Sequence, residues 1–178
     1  TVLKDVFVEV KKLPGIGNVK AGHHKEPFSL EMLTSSNYLT FIERALPNAF
    51  SPSRNTGLSI YNSQLSQRIT WAAGIYRDTD NSGISMGDGV GGSFRFTGLP
   101  ILSQEKDYLA HLGLSYTIRK PSNNVLRWRQ RPELHLADHY VDTASIQANR
   151  VNQLAFEASV VSGPFSVQSE YTYSSARS

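Results

Sequence analysis

Apolar and polar residues alternate along much of the chain. In "YLAHLGLSYTIR" (108–119), one phase is apolar and bracketed by tyrosines, while the other phase is mostly small or polar. Because successive side chains of an extended strand point to opposite faces, this period of two predicts a β-strand with one apolar face. Similar alternation predicts strands at 68–76, 153–161 and 165–173, and less regular alternation predicts strands at 3–12, 18–25, 56–65 and 89–98.

The connections between these eight segments alternate in length. Residues 13–17, a few residues near Ser66 and residues 162–164 are short connections, whereas 26–55 and 120–149 are long; residues 78–89 and 99–107 lie between these extremes. The short connections favour antiparallel pairing, because a parallel crossover needs a dozen or more residues. Short turns at one end and long loops at the other are typical of outer-membrane barrels.

The long segment 26–55 contains one helical pattern. In "SSNYLTFIERALP", Leu39, Ile42 and Leu46 fall at helical spacing, Ser35 or Ser36 is a candidate N-cap, and Pro47 ends the run. We therefore expect a short helix within this loop.

The polar phase of the strands is rich in Gly, Ser, Thr, Gln, Glu and Arg, which fill a hydrophobic core poorly. No apolar run approaches the roughly 20 residues of a membrane helix. The pattern favours an all-β, antiparallel transmembrane β-barrel whose apolar face meets lipid and whose polar face lines a wet lumen. A soluble β-barrel or sandwich that binds acidic ligands remains an alternative, and it would place large apolar residues inside.

Three arginines stand at every second position in "VLRWRQRPELHLADHY" (125–140): Arg127, Arg129 and Arg131. In an extended chain they share one side, and guanidinium donors match phosphate or carboxylate oxygens. Such a row predicts a path along which an anion passes from one cation to the next. A solvated loop pairing with Glu133, Asp138 or Asp142 is the alternative. Trp128 could stack on a nucleic acid, but no other basic face supports that partner.

Other chemistries find little support. The chain of 178 residues carries a net charge of +3 and has no cysteine, which excludes disulfides and thiolate metal sites. "DTDNSGISMGDG" (78–89) partly matches a calcium loop, yet Gly89 stands where the bidentate glutamate is needed. No Ser/His/Asp set or carboxylate dyad can be argued. We expect no enzymatic activity, no metal and no cofactor.

Four stretches resemble the phosphate-selective porin family (O/P-type porins) of Gram-negative outer membranes. They are "HHKEPFSLEMLTSSNYLTFIERALPNAFSPSRNTGL" (23–58), "HLGLSYTIR" (111–119), "RWRQRPELHLADHYVDT" (127–143) and "GPFSVQSEY" (163–171). The resemblance implies a homotrimeric, 16-stranded barrel in the cell outer membrane that passes phosphate, polyphosphate or other anions. It also implies that residues 26–55 fold inward as a constriction loop. Residues 1–178 would then be a single barrel domain and a fragment, with about half of the strands.

The resemblance also implies a set of anion-binding residues. Arg127, Arg129 and Arg131 match the arginine-rich stretch of the candidate loop 120–149, and Arg119 and Lys120 precede them without an intervening acid. Lys20 and Lys25 lie on the strand that enters the constriction loop, and Arg44 belongs to "ERALPNAF", where it touches the anion or anchors the loop. The alternatives left open are a general-diffusion porin and a structural envelope barrel whose arginines pair internally.

Overall fold

The computed structural model describes residues 4–80, 83–103, 108–132 and 136–178. Its strands, in chain order, are β1 (Val6–Leu13), β2 (Gly17–Lys25), β3 (Arg54–Gln64), β4 (Ile69–Thr79), β5 (Ser85–Ser103), β6 (Tyr108–Lys120), β7 (Val125–Leu126), β8 (Arg129–Gln130), β9 (Val141–Asp142), β10 (Ile146–Gln147), β11 (Arg150–Ser162) and β12 (Phe165–Arg177). The eight long strands form one antiparallel sheet in the order β1-β2-β3-β4-β5-β6-β11-β12. The predicted all-β antiparallel architecture is confirmed, but this sheet is open rather than closed into a barrel.

The two phases of the strands have opposite exposure. Along the sheet, Ser59 lies opposite Gly74, Gly74 opposite Ser93, Ser93 opposite Thr117, and Thr117 opposite Gln153. The four polar members of this row are buried. Large apolar residues of the other phase are exposed, among them Ile75, Phe94, Leu112, Phe156 and Tyr171. We call the first side the polar face and the second the outward face; a soluble barrel or sandwich would show the reverse exposure.

The two long connections of the sheet lie at the same end. Consecutive antiparallel strands turn at alternate ends, so residues 14–16, 65–68 and 163–164 share one end of the sheet. The chain leaves β2, β4 and β6 at the other end, which we call the long-loop end. The two long connections share one end, as predicted, but the connection predicted at 78–89 is short, because β4 reaches Thr79 and β5 begins at Ser85.

The predicted helix through Leu39, Ile42 and Leu46 is wrong. A four-residue helix, α1 (Leu30–Leu33), and two short 3₁₀ turns (Ser36–Tyr38 and Leu46–Phe50) are present in this loop instead. Ile42 is exposed, so no packing surface stabilises a helix there, and short isolated helices are marginal in water. The Glu31 carboxylate instead accepts the backbone N–H of Ala45 at 3.2 Å.

Strand β5 is longer than its sequence pattern predicts, covering 85–103 instead of 89–98. Its register with β6 shifts between Gly98 and Ile101, which accommodates Pro100, a residue without a backbone donor. The irregularity interrupted the period of two and concealed the end of the strand. No helix among the described residues is long and apolar enough to span a membrane.

Candidate functional site

The long connection 26–53 lies across the polar face of the sheet. It leaves β2 and returns to β3, yet the backbone N–H of Glu31 donates to the Glu170 carboxylate on β12 at 2.6 Å. The Gln153 side chain on β11 donates to the backbone carbonyl of Phe50 at 2.5 Å. Because β11 and β12 end the sheet opposite β1, the loop reaches from one side of the polar face to the other. Two of the buried polar residues described above contact it, Ser93 through Glu26 and Gln153 through Phe50.

The root of this loop is fixed by a buried carboxylate, Glu26, whose side chain is 0% exposed. It accepts hydrogen bonds from Asn55 at 2.7 Å, from the Arg119 guanidinium at 2.5 Å and from the Ser93 hydroxyl. Arg119 donates to Asp78 as well. Removing one member of a buried, hydrogen-bonded ion pair costs on the order of 3–5 kcal/mol. Glu26 therefore anchors the loop to β3, β5 and β6.

A cavity of about 500 Å³ lies between the polar face and the first part of the loop. Three cations line it, Lys20, Lys25 and Arg95, together with uncharged polar side chains such as Ser59 and Thr70. We call it the polar cavity. Its lining offers positive charge and hydroxyl donors, a set suited to an oxyanion.

The three cations of the polar cavity differ in how far they are neutralised. Lys20 Nζ lies 3.7 Å from a Glu9 oxygen and 4.4 Å from the centre of the Phe7 ring. Arg95 pairs with the buried Glu157 carboxylate, which also contacts His111 at 2.9 Å. The Lys25 ammonium donates to the backbone carbonyl of Met32 at 2.5 Å, and no carboxylate of the described chain lies within 4 Å of it. Lys25 therefore leaves the most uncompensated charge in the cavity.

The arginine row is extended, but it is not one continuous strand. Two short ladders, β7 with β10 and β8 with β9, flank residues 127–128. Arg127 forms a two-pronged ion pair with Asp142, its Nε donating at 2.8 Å, and the arginine holds the pKa of that carboxyl well below its usual range. Arg127, one of the three arginines of the predicted row, is thus neutralised by Asp142. This pairing agrees with the alternative in which the loop arginines pair with nearby carboxylates.

Arg129 differs from Arg127 in its contacts. Arg129 is exposed, and none of the described carboxylates lies within 4 Å of its side chain. Arg131 is half-buried. The pairing considered for Glu133 falls outside the described residues. Between Arg127 and Arg129, the ring of Trp128 packs edge-on against the ring of Phe50, with the ring centres 5.2 Å apart. This contact joins the arginine loop to loop 26–53.

Three further predicted anion-binding residues make structural contacts. Arg119 is held between Glu26 and Asp78, so its charge is compensated twice. Lys120 lies in the outward phase of β6, opposite Val90, and pairs with Asp88 at 2.5 Å. Arg44 donates to the backbone carbonyls of Thr34 at 2.8 Å and Glu31 at 3.1 Å, and so ties the loop to itself.

Sequence reasoning missed Glu26 and Gln153 as residues that hold the loop. Glu26 lies two positions beyond His24, which is buried on the polar face and contacts Ser59 at 2.9 Å. Gln153 lies in the polar phase of β11. A polar side chain in that phase was the available signal, but its partner could not be read without the fold of the loop.

A comparison with known protein families identifies the family of this chain. The model of the family described as phosphate-selective porin O and P matches residues 1–178, the whole chain. The chain belongs to the phosphate-selective porin O and P family. This porin family is a family of outer-membrane channels and not of enzymes. No curated protein sequence matches the chain. In the described part of this porin, no group of three or more His, Asp or Glu side chains could hold a metal ion.

Proposed function

We propose that this porin passes phosphate-like anions through the space between loop 26–53 and the polar face. The polar cavity carries the proposal, because Lys20, Lys25 and Arg95 line it. Among the described residues, the hydrogen-bond partners of Lys25 are backbone carbonyls. Positive charge in a pore concentrates anions and repels cations. Family membership supports phosphate as the substrate class.

The proposed mechanism is passive diffusion past separated cations. Arg129 attracts anions near the long-loop end, and Lys25 and Lys20 follow along β2. The two lysines are five positions apart, or roughly 17 Å at 3.3 Å per residue. Such spacing lets an anion leave one site for the next, and conduction requires this balance of binding and release.

Loop 26–53 is the proposed constriction. Contacts of the loop with Arg119, Gln153 and Glu170 hold it over the polar face, so it narrows the passage without blocking the cavity. The proposal includes the features that the family resemblance implies for the assembly, namely a closed 16-stranded barrel and a homotrimer.

Phosphate titration in a planar bilayer tests the proposal. The full-length protein is inserted, and the chloride current is measured as phosphate is added. We expect phosphate to block the current, and Lys25→Gln to raise the half-blocking concentration about tenfold, because a charge-assisted hydrogen bond is worth about 1.5–3 kcal/mol. Lys120→Gln is the matched control, since the same charge is removed from the outward face. Lack of block in the wild type, or equal block in both variants, would contradict phosphate binding.

A general-diffusion porin is the second candidate. It is favoured by the pairing of Arg95, Arg119 and Arg127 with carboxylates, because paired arginines contribute little to anion preference. That candidate predicts equal permeation by anions and cations of similar size.

A further inference from the structure

A row of basic residues borders the outward face at the long-loop end of the sheet. Arg77 lies opposite Val90, Val90 lies opposite Lys120, and Arg150 lies opposite Arg177. These residues continue the phase of the exposed apolar side chains. Two residues along their strands, for example, stand Ile75 and Ile118. We call Arg77, Arg150 and Arg177 the basic border.

The charges of the basic border are largely uncompensated. Arg150 and Arg177 lie directly opposite each other on the adjacent strands β11 and β12, an arrangement that is unfavourable for like charges. Both are exposed, and neither has a carboxylate within 4 Å among the described residues. Arg77 makes one hydrogen bond, to the backbone carbonyl of Gly87 at 3.0 Å. Lys120 differs from them, because Asp88 neutralises it.

An apolar groove runs away from the basic border along the outward face. Its first part, about 740 Å³, is lined by Arg77 and Arg150 together with apolar side chains that include Leu58, Ile75 and Ile118. A second part, about 420 Å³, shares Leu58, Ile75 and Ile118 with the first. Gly92 lines both parts, where the missing side chain leaves room. The surface is therefore charged at one end and apolar along its length.

We propose that this surface binds an anionic lipid. The acyl chain occupies the groove between β4, β5 and β6, and the phosphate of the headgroup bonds to the basic border. The forked donors of arginine match phosphate oxygens, and a bound phosphate relieves the repulsion between Arg150 and Arg177. The apolar groove continues from the charged end. A molecule with an anionic headgroup and an apolar chain matches this arrangement. The inference rests on the outer-membrane placement of the porin family, but not on anion selectivity of the pore.

Native mass spectrometry of the full-length protein tests the lipid site. The protein is held in a neutral detergent and titrated with phosphatidylglycerol or with diacylglycerol, which has the same chains but no phosphate. We expect phosphatidylglycerol adducts to persist and diacylglycerol adducts to be at least about tenfold weaker, because charge-assisted contacts to phosphate are among the strong ones. Inorganic phosphate at the same concentration should not displace the lipid, since it has no acyl chain.

Two variants separate the headgroup from the chain. Arg150→Gln/Arg177→Gln should weaken phosphatidylglycerol binding about tenfold or more. The matched control is Lys12→Gln/Arg68→Gln, which removes two charges at the opposite end of the sheet. Gly92→Leu should weaken binding by filling the groove. A Cβ atom at Gly92 meets its nearest neighbour at 3.7 Å, an ordinary van der Waals contact, so the backbone accepts a side chain at this position.

Three results would overturn the proposal. Equal binding of diacylglycerol would show a purely apolar surface, and displacement by inorganic phosphate would show a simple anion site. If the variants change the number of subunits and leave the lipid count unaltered, the groove is a contact between copies of this chain. None of these results would alter the phosphate block of the pore, so failure of this proposal is distinguishable from failure of the proposed function.

Discussion

At the residue scale, the cations of this porin divide by the partner that each one meets. Arg119 meets Glu26 and Asp78, and Arg127 meets Asp142. Lys25 meets backbone carbonyls, which orient its ammonium group without cancelling its charge. An anion in the polar cavity therefore experiences Lys25 more strongly than the paired arginines. The number of arginines in a loop does not by itself measure its anion affinity.

Replacing Asp142 should leave the positive charge of Arg127 uncompensated. In Asp142→Asn the guanidinium loses its carboxylate partner, so we expect the anion-to-cation permeability ratio to rise by about twofold, a modest change because the pair is exposed and screened by salt. The reversal potential under a chloride gradient gives this ratio. Asp138→Asn is the control, since that exposed carboxylate lies in the same loop. A ratio that falls or stays equal to that of the control would show that Arg127 does not face the permeating ions.

The same pair sets an expectation for pH. Arg127 lowers the pKa of Asp142, so the folded protein retains the ionised carboxylate below the usual aspartate value of about 3.9. The stability that the ion pair gives the folded protein is present above that value. It is lost only as the pH falls through the lowered pKa of Asp142. Acidification from pH 7 to about pH 5 should therefore leave the selectivity difference between wild type and Asp142→Asn unchanged.

At the element scale, loop 26–53 is held to strands on the far side of the sheet by few contacts. The Glu170 carboxylate accepts the backbone N–H of Glu31, and Gln153 donates to Phe50. These bonds fix where the loop crosses the polar face. Glu26 anchors the start of the loop to β5 and β6, so the bonds to Glu170 and Gln153 set the position of its later part.

Cutting one of these bonds should widen the passage. We expect Glu170→Ala to raise single-channel conductance and current noise by tens of per cent, since a charged hydrogen-bond partner worth about 1.5–3 kcal/mol is lost. Gln168→Ala, two residues away on the same face of β12, is the control. Conductance equal to that of the control would mean that the loop does not limit the flow of ions.

The sequence predicted the strands well and the loop poorly, for a physical reason. Alternation is a local signal, because the faces of a strand are set by neighbouring residues. The helical spacing of Leu39, Ile42 and Leu46 was also local, but no apolar surface packs against Ile42. The loop is determined instead by hydrogen bonds that the Glu31 carboxylate accepts and the Arg44 guanidinium donates.

The candidate site depended on contacts between distant residues. Arg127 and Asp142 are 15 positions apart, and Arg119 and Glu26 are 93 positions apart. Residue type and phase identified the charged groups, but no local pattern shows which carboxylate neutralises which arginine. The structure places Lys20 opposite Ser59 on the polar face, where it lines the polar cavity.

At the scale of the whole molecule, the sheet carries polar residues inside and apolar residues outside. Ser115 and Thr117 are fully buried, whereas Ile75 is 68% exposed. Water would penalise so large an apolar surface, and hydrocarbon would not. This exposure pattern supports a lipid-facing outward face in the outer-membrane porin.

Brominated lipids test the placement of that face. The register puts Trp71 in the same phase as Ile75 and Phe96, whereas Trp128 packs on Phe50 in the loops. In vesicles of dibrominated phospholipid, we expect the protein's fluorescence to be quenched in wild type and in Trp128→Phe. Trp71→Phe should lose a substantial part of the quenching. Retention of all quenching in Trp71→Phe would place this part of β4 away from lipid.

The reversal potential of the full-length protein tests the central claim most directly. In a planar bilayer with a tenfold potassium chloride gradient, charge at Lys20, Lys25 and Arg129 predicts a reversal potential of the sign set by chloride. Potassium and chloride diffuse about equally fast in water, so an uncharged wide pore gives a reversal potential near zero. A large reversal potential therefore reports the charge of the pore. A potential near zero or of the sign set by potassium would contradict an anion passage over the polar face.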